Sequence, residues 1–375
     1  MKPEAAHCLQ DTTFVNELRL NARQWLAVFA LVAVALWALP RLWAKLERWE
    51  INSDFRIPYA MSKDYWFYER YLEHAPAHER VLVLGDSVMW GEYVLPDGAL
   101  PHFLNATAGA SNRFINAGVN GLYPLAMEGL YAHHGAALRG RKILLHCNPL
   151  WMSSPQADLQ MEQGGEINHT RLLPQCSPRI PAYKADADER LSAVLERNLP
   201  FFGWARHLQD ACYGQQSILN WTLAPGNAYR NPLAALTLTI QSAPQDDAKR
   251  GPRSKRHKPW TATTEPTQLA WVPLKSSLQW AAFQRTVARL QAQHNDVLVL
   301  VGPFNEHLMT EENRPVYRQL RDEMVAWLKS ENIPCCAPEP LPSELYADAS
   351  HPLTEGYRLL AAQLFADAAF RTWQK

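Results

Sequence analysis

The stretch Val81-Leu82-Val83-Leu84-Gly85-Asp86-Ser87 decides the fold of this chain of 375 residues. Its first four residues form an unbroken aliphatic run, which is typical of a strand covered on both faces in a parallel sheet. Gly-Asp-Ser follows at the point where that strand ends, and open parallel sheets bind ligands at the carboxyl ends of their strands. The stretch therefore predicts a buried strand with a serine hydroxyl at its carboxyl end.

Similar aliphatic runs alternate with helical patterns along the rest of the chain. Further strands are predicted at 114–115, 143–145, 297–301 and 333–336. Helices are predicted at 124–137, 315–329 and 353–368, and residues 45–79 are also expected to be largely helical. Strands that alternate with helices predict an α/β fold with a doubly wound parallel sheet.

The stretch Asp348-Ala349-Ser350-His351-Pro352 supplies an acid three residues before a histidine. A free serine hydroxyl is a poor nucleophile near neutral pH and needs a base within hydrogen-bond reach. We therefore predict Ser87 as a nucleophile, His351 as its general base and Asp348 as the group that orients the imidazole. A plain helix N-terminus would explain Pro352, but it would not explain the acid–histidine spacing.

Two other stretches offer hydrogen-bond donors for an oxyanion, namely Asn116-Ala117-Gly118-Val119-Asn120-Gly121 and His146-Cys147-Asn148. The candidate donors are the backbone N–H of Ser87, the side-chain amide of Asn148 and the backbone N–H of either Gly121 or Gly118. A tight turn that needs positive φ would also account for either glycine. A turn at the end of a strand would account for Asn148.

The four stretches together resemble the SGNH (GDSL-type) hydrolase family, whose letters stand for Ser, Gly, Asn and His in that chain order. The resemblance covers residues 80–150 and 296–372. It implies a flavodoxin-like three-layer sandwich, and the family block Asn-x-x-x-x-Gly selects Gly121 over Gly118. The family usually has Gly-x-Asn-Asp at the third block, so this chain departs from it on both sides of Asn148.

The N-terminal region predicts a membrane anchor. Residues 25–40 contain no charge, and the apolar stretch reaches about 19 residues if Arg41 extends its charge to the interface. We predict a tail at 1–24 and a transmembrane helix at 25–44; a cleaved signal peptide and a buried helix are the alternatives. Basic residues flank both ends equally, but a short tail before one span and a large domain favours an extracytoplasmic catalytic domain.

Residues 45–375 are predicted to form the hydrolase-like domain, with an insertion at about 152–285 over the face that carries the site. A basic run between Gln241 and Pro259 is either a solvated loop or a contact for an anionic lipid or polymer.

The formal net charge is zero, which argues against nucleic acid as a partner. The six cysteines lack C-x-x-C spacing, so we predict no metal site, and no cofactor is expected.

Membrane-anchored relatives in the resembled family include proteins that move acyl groups on or off cell-envelope polymers. The resemblance therefore implies a membrane-anchored serine esterase that removes small O-acyl groups from an envelope glycan or lipid. One alternative is an O-acyltransferase that uses the same site and works with a membrane-bound acyl-transfer partner. The other is a non-catalytic envelope assembly or binding protein that retains the fold.

Overall fold

The computed structural model of the protein describes residues 20–50, 53–75, 80–162, 167–213, 239–241, 260 and 265–375. The strands are β1 (Arg48–Glu50), β2 (Val81–Leu84), β3 (Phe114–Asn116), β4 (Lys142–Cys147), β5 (Thr239–Gln241), β6 (Asp296–Val301) and β7 (Cys335–Cys336). The helices are α1 (Ala22–Leu46), α2 (Tyr65–His74), α3 (Ser87–Trp90), α4 (Leu100–Thr107), α5 (Pro124–His133), α6 (Ala187–Asn198), α7 (Pro200–Cys212), α8 (Leu278–Ala292), α9 (Asn313–Ser330), α10 (Thr354–Ala366) and α11 (Ala368–Trp373).

The central sheet has five parallel strands in the order β3-β2-β4-β6-β7. This order is that of a flavodoxin-like doubly wound sheet, in which the chain first moves to one side of the starting strand and then to the other. The α/β prediction is therefore confirmed. Because all five strands run in the same direction, the segments that follow them emerge at one edge of the sheet.

Helices cover the sheet on both faces, which explains the unbroken aliphatic strands. Val81 and Val83 of β2 belong to a core cluster with residues of α4 and α10. Leu82 and Leu84 point to the opposite face and belong to a cluster with residues of α5, α8 and α9. Successive side chains of a strand alternate between faces, so both faces of β2 must be apolar to be buried.

Several element boundaries differ from the sequence prediction. The first predicted helix, 124–137, ends at His133 and is followed by a short 3-10 turn. The last helical stretch is divided at Asp367, whose carboxylate accepts hydrogen bonds from the first N–H groups of α11 and so starts a new helix. Within 45–79, the described part contains β1 and α2 instead of one continuous helix.

The predicted insertion at 152–285 contains more regular structure than its composition suggests. Its described residues form α6, α7 and the first part of α8. Helix α8 packs against α5 and β6, so it belongs to the covering layer of the sheet. The basic run falls largely outside the described residues.

The N-terminal helix α1 has 25 residues, which corresponds to a length of about 37 Å at 1.5 Å per residue. Within the described residues, it is the one helix that is long and apolar enough to cross a membrane. Its apolar side chains are mostly exposed, as at Leu26, Phe29 and Leu31. Its C-terminal part packs against α7.

Candidate active site

The candidate residues lie in segments that follow strands of the central sheet. Ser87 is the first residue of α3, directly after the turn that ends β2. Asp86 caps this helix, because its carboxylate accepts a hydrogen bond of 3.0 Å from the N–H of Val88. Asn148 follows β4 directly, and His351 lies in the loop between β7 and α10.

Ser87, His351 and Asp348 form a continuous hydrogen-bonded chain. The Nε2 atom of His351 lies 2.8 Å from the Oγ of Ser87. Its Nδ1 atom lies 2.8 Å from both carboxylate oxygens of Asp348. A proton on Nδ1 that is donated to Asp348 leaves Nε2 free to accept the proton of the serine hydroxyl, which is the arrangement a nucleophilic serine requires.

The electrostatics of the pair favour a charged carboxylate beside a basic imidazole. Burial alone would raise the pKa of Asp348, but the hydrogen bond and charge of His351 and the N–H groups of Ser350 and His351 lower it to about 2. Burial alone would lower the pKa of His351, but the hydrogen bond and charge of Asp348 outweigh it and raise that pKa. Asp348 is therefore ionised at neutral pH and supports a proton on the imidazole.

The Asn148 side chain is held by contacts to Asp86 and Ser350, which precede Ser87 and His351 in the chain. Its Nδ2 donates to Oδ2 of Asp86 at 2.8 Å and to the Oγ of Ser350 at a longer distance of 3.4 Å. Its Oδ1 accepts from the N–H of Leu150 at 3.0 Å. The side-chain orientation is thus fixed by three partners, and the long contact to Ser350 involves the N–H that is most easily redirected to another acceptor.

The two glycine candidates have different environments. The N–H of Gly118 donates to Oδ1 of Asn116 at 3.1 Å, so this donor is already engaged. A Cβ on Gly118 would approach the backbone N of Trp90 to 2.6 Å, so this glycine allows close packing against α3. Gly121 has a φ of +72° and borders a cleft, with the side chain of Asn168 against its Cα.

His146 is a site residue that the sequence analysis did not identify. It is fully buried, its Nδ1 lies 2.9 Å from Oδ1 of Asp86, and its Nε2 lies 3.0 Å from the carbonyl oxygen of Gly302. The ring thus connects the carboxylate that follows β2 to the backbone that follows β6. In the sequence, this residue could have been noticed because a histidine stands near the end of a buried strand, at a position where the resembled family usually has glycine.

The Asp86 carboxylate lies at the centre of this buried network. Besides the bonds from His146, Asn148 and Val88, it accepts one of 3.2 Å from Nε1 of Trp151. Burial alone would raise the pKa of Asp86, but the charge of His146 and the hydrogen bonds from His146 and Asn148 lower it. Asp86 is therefore a charged group that orients the amide of Asn148.

A cleft of about 260 Å³ begins at Gly121. Its walls come from α5, from the residues just before it and from residues 154–159 and 167–173 of the predicted insertion. Both apolar and polar residues line it, and they are Gly121, Tyr123, Leu125, Ala126, Ser154, Gln156, Ala157, Leu159, Ile167, Asn168, His169 and Leu173. The insertion thus contributes to the shape of the surface next to the candidate oxyanion donors.

Among the described residues, no group of three or more His, Cys, Asp or Glu is placed to hold a metal ion. The hydrogen-bonded chain from Ser87 to Asp348 can perform nucleophilic chemistry. A serine activated by a histidine, beside a rigid amide donor, can form and break an acyl ester.

Comparison with known proteins adds little to this geometry. No protein-family model matches the chain, and no curated protein matches it. Among solved structures, the chain is similar to a G-D-S-L family protein from Desulfitobacterium hafniense DCB-2, with 10% identity and a TM-score of 0.35 over 76% of this chain and 97% of that chain. A likeness at this level carries no argument about activity.

Proposed function

We propose that this protein is a serine ester hydrolase of the SGNH (GDSL) type, anchored in a membrane by α1. The hydrogen-bonded chain from Ser87 through His351 to Asp348 is the observation that supports this function most strongly. In such a chain the histidine can take the proton of the serine hydroxyl and the carboxylate orients the imidazole, which allows acyl transfer through the serine. The length and the exposed apolar surface of α1 support the anchoring.

The reaction proceeds in two halves. The Oγ of Ser87 attacks the carbonyl carbon of the ester, and its proton moves to Nε2 of His351. The tetrahedral intermediate collapses, the bond to the leaving alcohol breaks, and His351 returns the proton to that alcohol. Water then attacks the acyl-enzyme with His351 again as the base, which releases the carboxylic acid and restores Ser87.

The developing oxyanion is stabilised by the backbone N–H groups of Ser87 and Gly121 and by the amide of Asn148. The bond to Asp86 keeps the Asn148 amide oriented before substrate binds, so only the long contact to Ser350 is exchanged for the oxyanion when charge develops. The substrate is a small O-acyl ester of a cell-envelope glycan or lipid, and the catalytic domain lies outside the cytoplasm. The small cleft beside Gly121 supports a short acyl or alcohol group.

The test is covalent labelling of the full-length protein with a fluorophosphonate, followed by identification of the modified peptide. We expect one phosphonate at Ser87, no labelling of Ser87→Ala, and slow labelling of His351→Ala. Absence of a covalent adduct on the folded wild-type protein would contradict the hydrolase proposal. If the acyl-enzyme passes its acyl group to a glycan hydroxyl in preference to water, the same site is that of an O-acyltransferase.

Replacing Asn148 with alanine should lower kcat at least about a hundredfold with little change in KM, because its hydrogen bond strengthens only as the oxyanion forms. Ser350→Ala is the matched control, since it removes only the long contact to the same amide. We expect Ser350→Ala to retain kcat within about threefold. A change of KM alone in Asn148→Ala would assign this side chain to ground-state binding.

A further inference from the structure

The corner between α6 and α7 exposes apolar side chains near the C-terminal part of the anchor helix. We define this corner as residues 199–202. Leu199 is 45% exposed and Phe202 is 40% exposed. Isolated exposed apolar residues are common on protein surfaces, so the position of this corner relative to α1 is what gives it meaning.

Helix α7 runs alongside the end of α1 and in the same direction. At the N-terminal end of α7, Pro200 and Gly203 share a groove with Pro40 and Arg41 of α1. Further towards the C-terminal ends of both helices, the rings of Trp43 and Trp204 lie 6.1 Å apart. The corner therefore lies level with Pro40, at the end of α7 that faces back along α1.

Buried charged contacts hold α7 in this position. The Nε2 of His207 lies 2.8 Å from Oε1 of Glu47, and its Nδ1 lies 2.7 Å from Oδ2 of Asp64. All three side chains are almost fully buried. Since Glu47 follows the last residue of α1 and Asp64 caps α2, one histidine joins the anchor, the insertion and the catalytic domain.

The stretch of α1 from Pro40 to Ala44 lies near the edge of a bilayer. A hydrocarbon core of about 30 Å takes about 20 helical residues, so a span that begins near Trp25 ends near Ala44. Trp37 and Trp43 lie about one helical turn on either side of Pro40, and aromatic residues are enriched at membrane interfaces. A corner that packs beside Pro40 and Ala44 must then lie in the interfacial layer.

We propose that the corner at 199–202 inserts Leu199 and Phe202 into the interfacial layer of the lipid bilayer, beside α1. This inference rests on the membrane anchoring in the proposed function, and its occupant is lipid. A single helix leaves a domain free to tilt about its exit point, whereas a second contact fixes the tilt. The domain then stands in one orientation on the membrane surface.

A fixed orientation also fixes the height of the cleft above the membrane. Tyr65, the residue after Asp64, donates its hydroxyl to Nδ1 of His169 at 3.0 Å. The Nε2 of His169 lies 2.8 Å from the carbonyl oxygen of Asn120, next to Gly121. Because burial lowers the pKa of His169 to about 4, this neutral ring keeps both bonds at physiological pH. Rigid contacts thus connect the membrane corner to the cleft wall, which suits an ester presented at the bilayer surface.

The experiment measures the depth of the corner with the full-length protein in lipid nanodiscs. A fluorescent thiol probe is attached at Phe202→Cys after the other reactive cysteines are replaced by serine. Probes at Leu31→Cys in α1 and at Val316→Cys on α9 are the controls, and Val316 has a comparable exposure of 49%. Lipids that carry a quencher near the headgroup or deep in the acyl chain then report the depth of each probe.

We expect headgroup-level quenchers to reduce the Phe202→Cys signal by at least about twofold, in keeping with an insertion depth of 5–10 Å. Deep quenchers should act on Leu31→Cys, and neither should act on Val316→Cys. Quenching of Leu31→Cys without quenching of Phe202→Cys would overturn the corner proposal alone. Quenching of neither would remove the anchoring and the corner together, while phosphonate labelling of Ser87 would still decide the hydrolase proposal separately.

Discussion

Ser87→Ala is expected to lower kcat for ester hydrolysis by about 10⁶-fold, and His351→Ala by a similar factor, because nucleophile and base act as one unit. The Oγ of Ser87 has His351 as its partner at 2.8 Å, so its removal leaves the helix cap by Asp86 intact. The measurement is the steady-state hydrolysis of a soluble short-chain ester by the purified full-length protein.

The double variant provides the sharper comparison. If the two residues act together, Ser87→Ala combined with His351→Ala should be no slower than either single variant. Thermal unfolding of all three should stay close to the wild type, which would show that the loss is chemical. A Ser87→Ala variant that keeps most of its esterase activity would show that the serine is not the nucleophile.

Asp348→Asn is expected to lower kcat by about 10⁴-fold without unfolding the loop. The amide oxygen of asparagine can still accept from the N–H groups of Ser350 and His351, as Oδ1 does now. The amide nitrogen, however, would donate to Nδ1 of His351. The proton of the imidazole would then move to Nε2, where it prevents the ring from accepting the proton of Ser87.

The pH profile of the same variant provides a second measurement. The wild type needs a neutral His351, so kcat/KM falls as the pH drops through the pKa of this residue. Asp348 raises that pKa, so the acid limb of the wild type lies above the ordinary histidine value of 6.5. Without the carboxylate, the pKa is lower, and the acid limb of Asp348→Asn should move to lower pH.

Asp54→Asn is the matched control for this variant. It removes another acid–histidine contact, in which Oδ1 of Asp54 lies 2.9 Å from Nδ1 of His102, away from the Ser87–His351 pair. We expect its kcat and its pH profile to match the wild type. An equal loss in both variants would mean that Asp348 acts through general stability instead of through His351.

The sequence by itself determined the layers of the fold and the identity of the three residues in the hydrogen-bonded chain. Unbroken aliphatic strands such as Val81–Leu84 can be stable only where both faces are covered, so the parallel sheet follows from local composition. In a parallel sheet all carboxyl ends lie at one edge, so Ser87 and His351 were expected to meet although 264 residues separate them. The spacing of Asp348 and His351 required no tertiary information.

The tertiary structure alone decided which donors surround that chain and what forms the cleft. The partnership of His146, Asp86 and Asn148 depends on the lateral pairing of β2 with β4, which no local pattern encodes. The close packing of Gly118 against the backbone of Trp90 depends in the same way on contact between distant segments. Helix α8 and the cleft walls at 154–159 and 167–173 were missed because their residues gain their apolar environment only by packing on the sheet and on α5. Contacts between distant segments are set by the shape of the assembled core, and the sequence of either segment alone does not contain that shape.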